Sequence, residues 1–117
     1  MSSITILHNP RCSKSRQTLA LLEEKGIAPK IVDYLKSPLS VEEIKQLFTK
    51  LALPEVTDMM RTKEAEFKEA GLHRENVTDE EHFQAIANYP KLLERPIVIN
   101  RNAAKIGRPP EAVLDIL

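Results

Sequence analysis

The chain has 117 residues, 17 lysines and arginines against 17 aspartates and glutamates, and a single cysteine. That length suits one core, the balanced charge excludes a global field that recruits nucleic acid or an anionic membrane, and one cysteine excludes an internal disulfide. With no N-terminal apolar h-region and no run of eighteen apolar residues, the expected setting is the reducing cytoplasm, away from membranes.

In chain order, Ile4-Thr5-Ile6-Leu7 is a short apolar, β-branched strand that Asn9-Pro10 ends in a turn. From about Ser13 to Lys25 the apolar positions Leu19 and Leu22, with Ile27 beyond and Gly26 as stop signal, predict an amphipathic helix. Lys30 to Leu35 reads as a second strand, so the first third forms a parallel βαβ unit. Lys36-Ser37-Pro38-Leu39 is a turn, and Ser40-Val41-Glu42-Glu43 has the form of a capping box opening a helix with apolar positions Val41, Ile44, Leu47, Phe48 and Leu51. Pro54 opens a short segment from Glu55 to Met60. Thr62 is placed to cap a helix through Phe67 to Ala70, closed by Gly71. A second capping box, Thr78 to Glu81, leads a helix with Phe83, Ile86 and Ala87 on one face, stopped by Pro90. Pro96 to Asn100 and Ala103 to Ile106 read as strands, Gly107 breaks the second, and Pro109-Pro110-Glu111 starts a last helix with Val113, Leu114 and Ile116.

The resulting order, β-α-β, several helices, then β-β-α, predicts an α/β thioredoxin-like fold with a mixed four-stranded sheet. It reads as one domain over residues 1–117, with a helical insertion at about 38–92. Such folds place a cis-proline beside the active-site cysteine, and Arg95-Pro96, at the start of the third strand, is the candidate.

Cys12 carries the chemistry because it falls between the first strand and the first helix, flanked by Arg11, Lys14 and Arg16. Cysteines at helix N-termini or beside cations titrate at about 3.5–7.5 rather than near 8.5. The unpaired N–H groups of the same helix end can hold an oxyanion. The competing reading, a buried structural cysteine, lacks the turn, the helix start and the cations as reasons to exist. His8, as an imidazolium, and Ser15, through its hydroxyl, are candidates for tuning the thiolate, and Arg16 adds positive charge. His73 and His82 read as solvated. The three histidines show no metal-ligand spacing, so no metal is expected.

Four ordered motifs carry a family resemblance. They are His8-Asn9-Pro10-Arg11-Cys12-Ser13-Lys14-Ser15-Arg16; Met60-Arg61 followed by Gly71-Leu72; Arg95-Pro96-Ile97-Val98; and Arg108-Pro109 leading into Val113-Leu114-Asp115-Ile116-Leu117. Over nearly its whole length the chain resembles the glutaredoxin-dependent arsenate reductases of bacteria. The resemblance implies that Cys12 attacks arsenate to form a covalent thio-arsenate adduct, with Arg61, Arg95 and Arg108 around the oxyanion. It implies glutathione as co-substrate, glutaredoxin as partner, and no bound cofactor, metal or flavin. Planar guanidinium forks suit a tetrahedral dianion, and their charge also favours the thiolate. Cys-Ser-Lys-Ser stands where the well-studied members carry Cys-Gly-Thr-Ser, which resembles a sub-branch of the family. Two alternatives share the fold. One is an Spx-like regulator that docks on RNA polymerase, although Ser15 occupies the place of the second cysteine of its redox switch. The other is a glutathione-linked monothiol oxidoreductase, which Cys12 with Ser15 permits.

Overall fold

The computed structural model describes residues 4–117. The chain divides into two compact units: a sheet unit of residues up to Ser37 and from Arg95 to Leu117, and a helical unit of Pro38–Glu94. The first three residues of the single domain expected above lie outside the described residues.

The sheet unit holds four strands: β1 (Ile4–Leu7), β2 (Lys30–Val32), β3 (Ile97–Asn100) and β4 (Ala103–Ile106). Their spatial order is β2-β1-β3-β4. β1 runs parallel to β2, with Ile6 opposite Ile31, and antiparallel to β3, with Ile6 opposite Val98; β4 is antiparallel to β3. The sheet is therefore mixed and four-stranded, and the thioredoxin-like α/β expectation holds.

Helix α1 (Ser13–Glu24) crosses from β1 to β2. Its C-terminus is closed by Gly26 at φ 78, with Gly26 N–H donating to the Glu23 carbonyl at 2.9 Å and Ile27 N–H to that of Leu22 at 3.0 Å. That double bond is the Schellman closure, which requires a residue with positive φ and so favours glycine. The core of the unit joins Ile4 and Ile6 of β1, Leu22 of α1, Val98 of β3 and Val113, with Leu19, Leu21, Ile27 and Ile116 packed on it. These are the positions that strand alternation and helical periodicity turn to one side.

Two sequence expectations need correction here. The second strand ends at Val32 rather than Leu35, because Asp33 starts a turn: its Oδ1 accepts from Leu35 N–H at 3.2 Å, and its carbonyl accepts from Lys36 at 3.1 Å and Ser37 at 2.9 Å. The last element, Pro110–Ile116, is a 3₁₀ helix instead of an α-helix, and it delivers Val113 to the core.

In the helical unit, α2 (Val41–Leu51) and α4 (Asp79–Asn88) both begin with the capping boxes read from the sequence, Ser40 with Glu43 and Thr78 with Glu81. Phe48 and Phe83 tie α2 to α4, with ring centroids 5.8 Å apart. A 3₁₀ turn spans Val56–Met59. α3 (Ala65–Glu69) starts later than expected: Glu64, not Thr62, is its N-cap residue, while Gly71 lies just beyond its end at φ 75. His82, expected to be solvated, is buried on the inner face of α4. The hydrophobic stripe of a short helix leaves little room for polar exceptions, and His82 falls next to Phe83 within it. Among the described residues no helix is long and apolar enough to cross a membrane.

Candidate active site

The turn from β1 into α1 is locked by its own backbone. His8 N–H donates to the Val32 carbonyl at 2.8 Å, which ties the strand end to β2. Asn9 then organises the loop: its carbonyl accepts from Cys12 N–H at 3.0 Å and its Oδ1 from Arg11 N–H at 3.0 Å. Cys12 consequently arrives at the N-cap of α1 with extended φ −96 and ψ 124, as the sequence predicted. Its side chain makes no capping hydrogen bond, so the first-turn N–H groups remain available to a charge carried on sulfur or bound beside it.

Cys12 is partly exposed, and its surroundings favour the thiolate. Partial burial pushes the thiol up, but the Ser15 backbone N–H, the Arg95 guanidinium and the Lys14 backbone N–H outweigh it, leaving the thiol below its ordinary range. Arg108 Nη2 stands 3.8 Å from the sulfur. Arg108 also donates from Nε to the Arg95 carbonyl at 2.8 Å, so the two arginines are held to one another as well as to Cys12. Two guanidinium groups and a helix N-terminus thus converge on one sulfur, the arrangement that binds a tetrahedral oxyanion and stabilises negative charge developing on it. Among the described residues no group of three or more His, Cys, Asp or Glu side chains could hold a metal ion.

The two tuning candidates act differently from expectation. Ser15 is fully buried, and its hydroxyl is engaged by its own loop: Oγ pairs with His8 Nδ1 at 2.6 Å and accepts from Asn9 N–H at 3.0 Å. Its influence on Cys12 runs through its backbone N–H. His8 is buried, and burial lowers its pKa, with Asp33 opposing and Arg16 adding to the depression. Burial thus disfavours the imidazolium, and the bond to Ser15 makes the ring part of the loop's own framework. Arg16 is exposed and donates from Nη1 to the Pro10 carbonyl at 2.9 Å, a strut on the same loop.

Arg61 belongs to the helical unit, where its Nε pairs with Glu64 at 3.0 Å and its Nη1 with Glu94 at 3.1 Å. Glu64 lies only three residues on, whereas Glu94 lies 33 residues away at the far end of the helical unit, which no local pattern announces. The peptide bonds Arg95-Pro96 and Arg108-Pro109 are both cis, the first as expected from the fold.

Sequence reasoning gave three residues no part in the site. Gly107 N–H donates to the Pro96 carbonyl at 2.9 Å, and a Cβ there would lie 2.6 Å from Thr18 Oγ1. The glycine lets the Arg95-Pro96 and Gly107-Arg108 segments close on α1, and Thr18, fully buried, is the surface they close on. A glycine after a strand signals a break; that it signals a close approach is visible only in three dimensions. Tyr34 is the third: it lies buried beside the Arg95 guanidinium.

A family model described as the ArsC family matches residues 7–116. An arsenate reductase of Haemophilus influenzae is 52% identical over 115 residues, covering 98% of this chain and 99% of that protein. An arsenate reductase of Escherichia coli is 38% identical over the full chain and 82% of its own length. Among solved structures, an arsenate reductase from Vibrio cholerae superposes with a TM-score of 0.96 at 53% identity, over 99% of this chain and 98% of that one.

Proposed function

Starting from the fact that the chain belongs to the ArsC family, we propose that it is an arsenate reductase working through the Cys12 thiolate. The observation that carries this reading is the convergence of Arg95 and Arg108 on a thiol whose pKa is lowered at the start of α1. The names of its relatives point to the same reaction.

The first step is attack by sulfur on arsenic. An S–As bond forms, an arsenate oxygen leaves as water after protonation, and arsenic remains pentavalent in the adduct. Arg95 and Arg108 hold the remaining oxygens and screen their charge from the approaching thiolate, while the first-turn N–H groups of α1 accept the charge that accumulates. The glutathione thiolate then displaces a second arsenate oxygen as water and forms an As–S bond. The glutaredoxin thiolate attacks that glutathione sulfur, an S–S bond forms as the As–S bond to glutathione breaks, and its electron pair stays on arsenic, which passes from +5 to +3 before water releases arsenite from Cys12. External thiols suit a chain whose sole cysteine is already in use. A glutathione-fed thiolate of this kind belongs to the reducing cytoplasm.

The test is NADPH oxidation by the purified protein with glutathione, glutaredoxin and glutathione reductase, in the presence and absence of arsenate, beside Cys12→Ala. Turnover should require arsenate and vanish in Cys12→Ala, with the fold of the variant intact by circular dichroism. Arsenate-independent turnover of a glutathione mixed disulfide would favour the monothiol oxidoreductase, for which the single cysteine followed three positions later by Ser15 also provides.

A further inference from the structure

Tyr34 follows the turn residue Asp33 and carries a large aromatic ring and a hydroxyl, yet only 1% of its surface is exposed. The turn explains why the ring points inward. Asp33 accepts N–H groups from Leu35, Lys36 and Ser37, which leaves Tyr34 pinned between β2 and the end of the sheet unit. The apolar body of a buried tyrosine is satisfied by packing, but its hydroxyl needs a polar neighbour. That neighbour is Arg95: the Tyr34 hydroxyl and the guanidinium interact directly, and both the phenolic oxygen and Arg95 Nε are shut off from water.

Arg95 is thus engaged on three sides. Its carbonyl accepts from Arg108 Nε at 2.8 Å, its guanidinium faces Cys12, and the same guanidinium faces Tyr34. An arginine side chain has four rotatable bonds, and a cation that must serve a sulfur and a substrate oxygen gains from having its plane fixed before either arrives. A phenol oxygen can do this without competing for charge, whereas a carboxylate in the same place would neutralise the guanidinium and weaken its hold on the thiolate. Glu64 and Glu94 show that alternative at Arg61.

We propose that Tyr34 is a positioning residue of the thiolate site: its buried hydroxyl, set against the Arg95 guanidinium, holds that cation on the sulfur of Cys12. The proposal rests on Cys12 working as a thiolate and is independent of arsenate as the substrate. Loss of the hydroxyl frees Arg95 to rotate away, so the thiolate loses part of its stabilisation and the thiol pKa rises.

The experiment is the pH dependence of iodoacetamide alkylation of Cys12 in the intact protein, for wild type, Tyr34→Phe, Arg95→Ala and the double variant. Tyr34→Phe preserves ring and volume, and thermal melts establish that it folds. Its alkylation midpoint should rise by roughly half to one pH unit, about three- to tenfold less thiolate below the midpoint. Arg95→Ala should shift it at least as far, and Tyr34→Phe should add nothing in the Arg95→Ala background. An unshifted profile in Tyr34→Phe, whatever its melting temperature, overturns the proposal. So does a shift of equal size with and without Arg95, since the hydroxyl would then act by another route. Failure of arsenate turnover beside a shifted Tyr34→Phe profile would overturn the substrate and leave Tyr34 in place.

Discussion

Replacing Gly107 by alanine tests how tightly the site is built, because the added carbon has nowhere to go. A Cβ at this position would lie 2.6 Å from Thr18 Oγ1, 2.9 Å from Pro96 Cγ and 3.3 Å from Thr18 Cγ2. Against an ordinary contact near 3.5 Å, roughly 0.9 Å must be found on one side and about 0.6 Å on the other. Thr18 yields least: it is fully buried with its hydroxyl donating to the Lys14 carbonyl at 2.8 Å, while the proline ring can respond only by changing its pucker. Overpacking costs about 1–3 kcal/mol in general, and close neighbours on both sides place Gly107→Ala at about 2–3 kcal/mol. For a chain of this size that is a drop of roughly 8–12 °C in melting temperature, readable by circular dichroism and checked by guanidinium unfolding. Thr18→Ala removes two of the three close contacts, so the Gly107→Ala/Thr18→Ala protein should be more stable than the sum of the single losses by about 1 kcal/mol or more. A melting temperature within about 2 °C of wild type, or strict additivity of the two substitutions, would refute the packing account.

The remaining expectations concern charge. Arg95→Ala and Arg108→Ala should each raise the alkylation midpoint of Cys12, since both guanidinium groups face the sulfur; unchanged profiles in both would remove them from the site. His8 gives a stability effect of predictable sign. Its folded-state pKa lies below that of the unfolded chain, so the unfolded state takes up the proton first and stability falls as the pH drops from about 6.5 towards the folded value. Denaturant unfolding at several pH values should show this slope in wild type and a shallower one in His8→Asn. Parallel curves would mean that His8 titrates alike in both states.

What could be read from the sequence was what is local. The helix start at Cys12 and both capping boxes are decided within a few residues, and the structure reproduces them. So is the glycine closure of α1. The misread positions turn on which of several competing partners a polar group takes. Strand propensity favoured continuation through Tyr34, but the Asp33 side chain captured the Leu35 N–H and ended β2 first. Ser15 looked free to turn to the thiol, yet a hydroxyl beside His8 had a buried ring nitrogen to satisfy. Charged residues at Arg61 and Arg95 look alike in sequence, and only the structure shows the first between two carboxylates and the second between a thiol and a phenol.

Arg108 and Cys12 are 96 residues apart in the chain. During synthesis the nucleophile emerges well before the cations that sharpen it. A nascent or unfolded molecule therefore carries an ordinary thiol, mostly protonated at neutral pH and slow towards electrophiles and disulfides. Reactivity switches on when these two distant segments meet, so a copy made only as far as the helical unit is shielded from oxidation and mispairing by its own incompleteness.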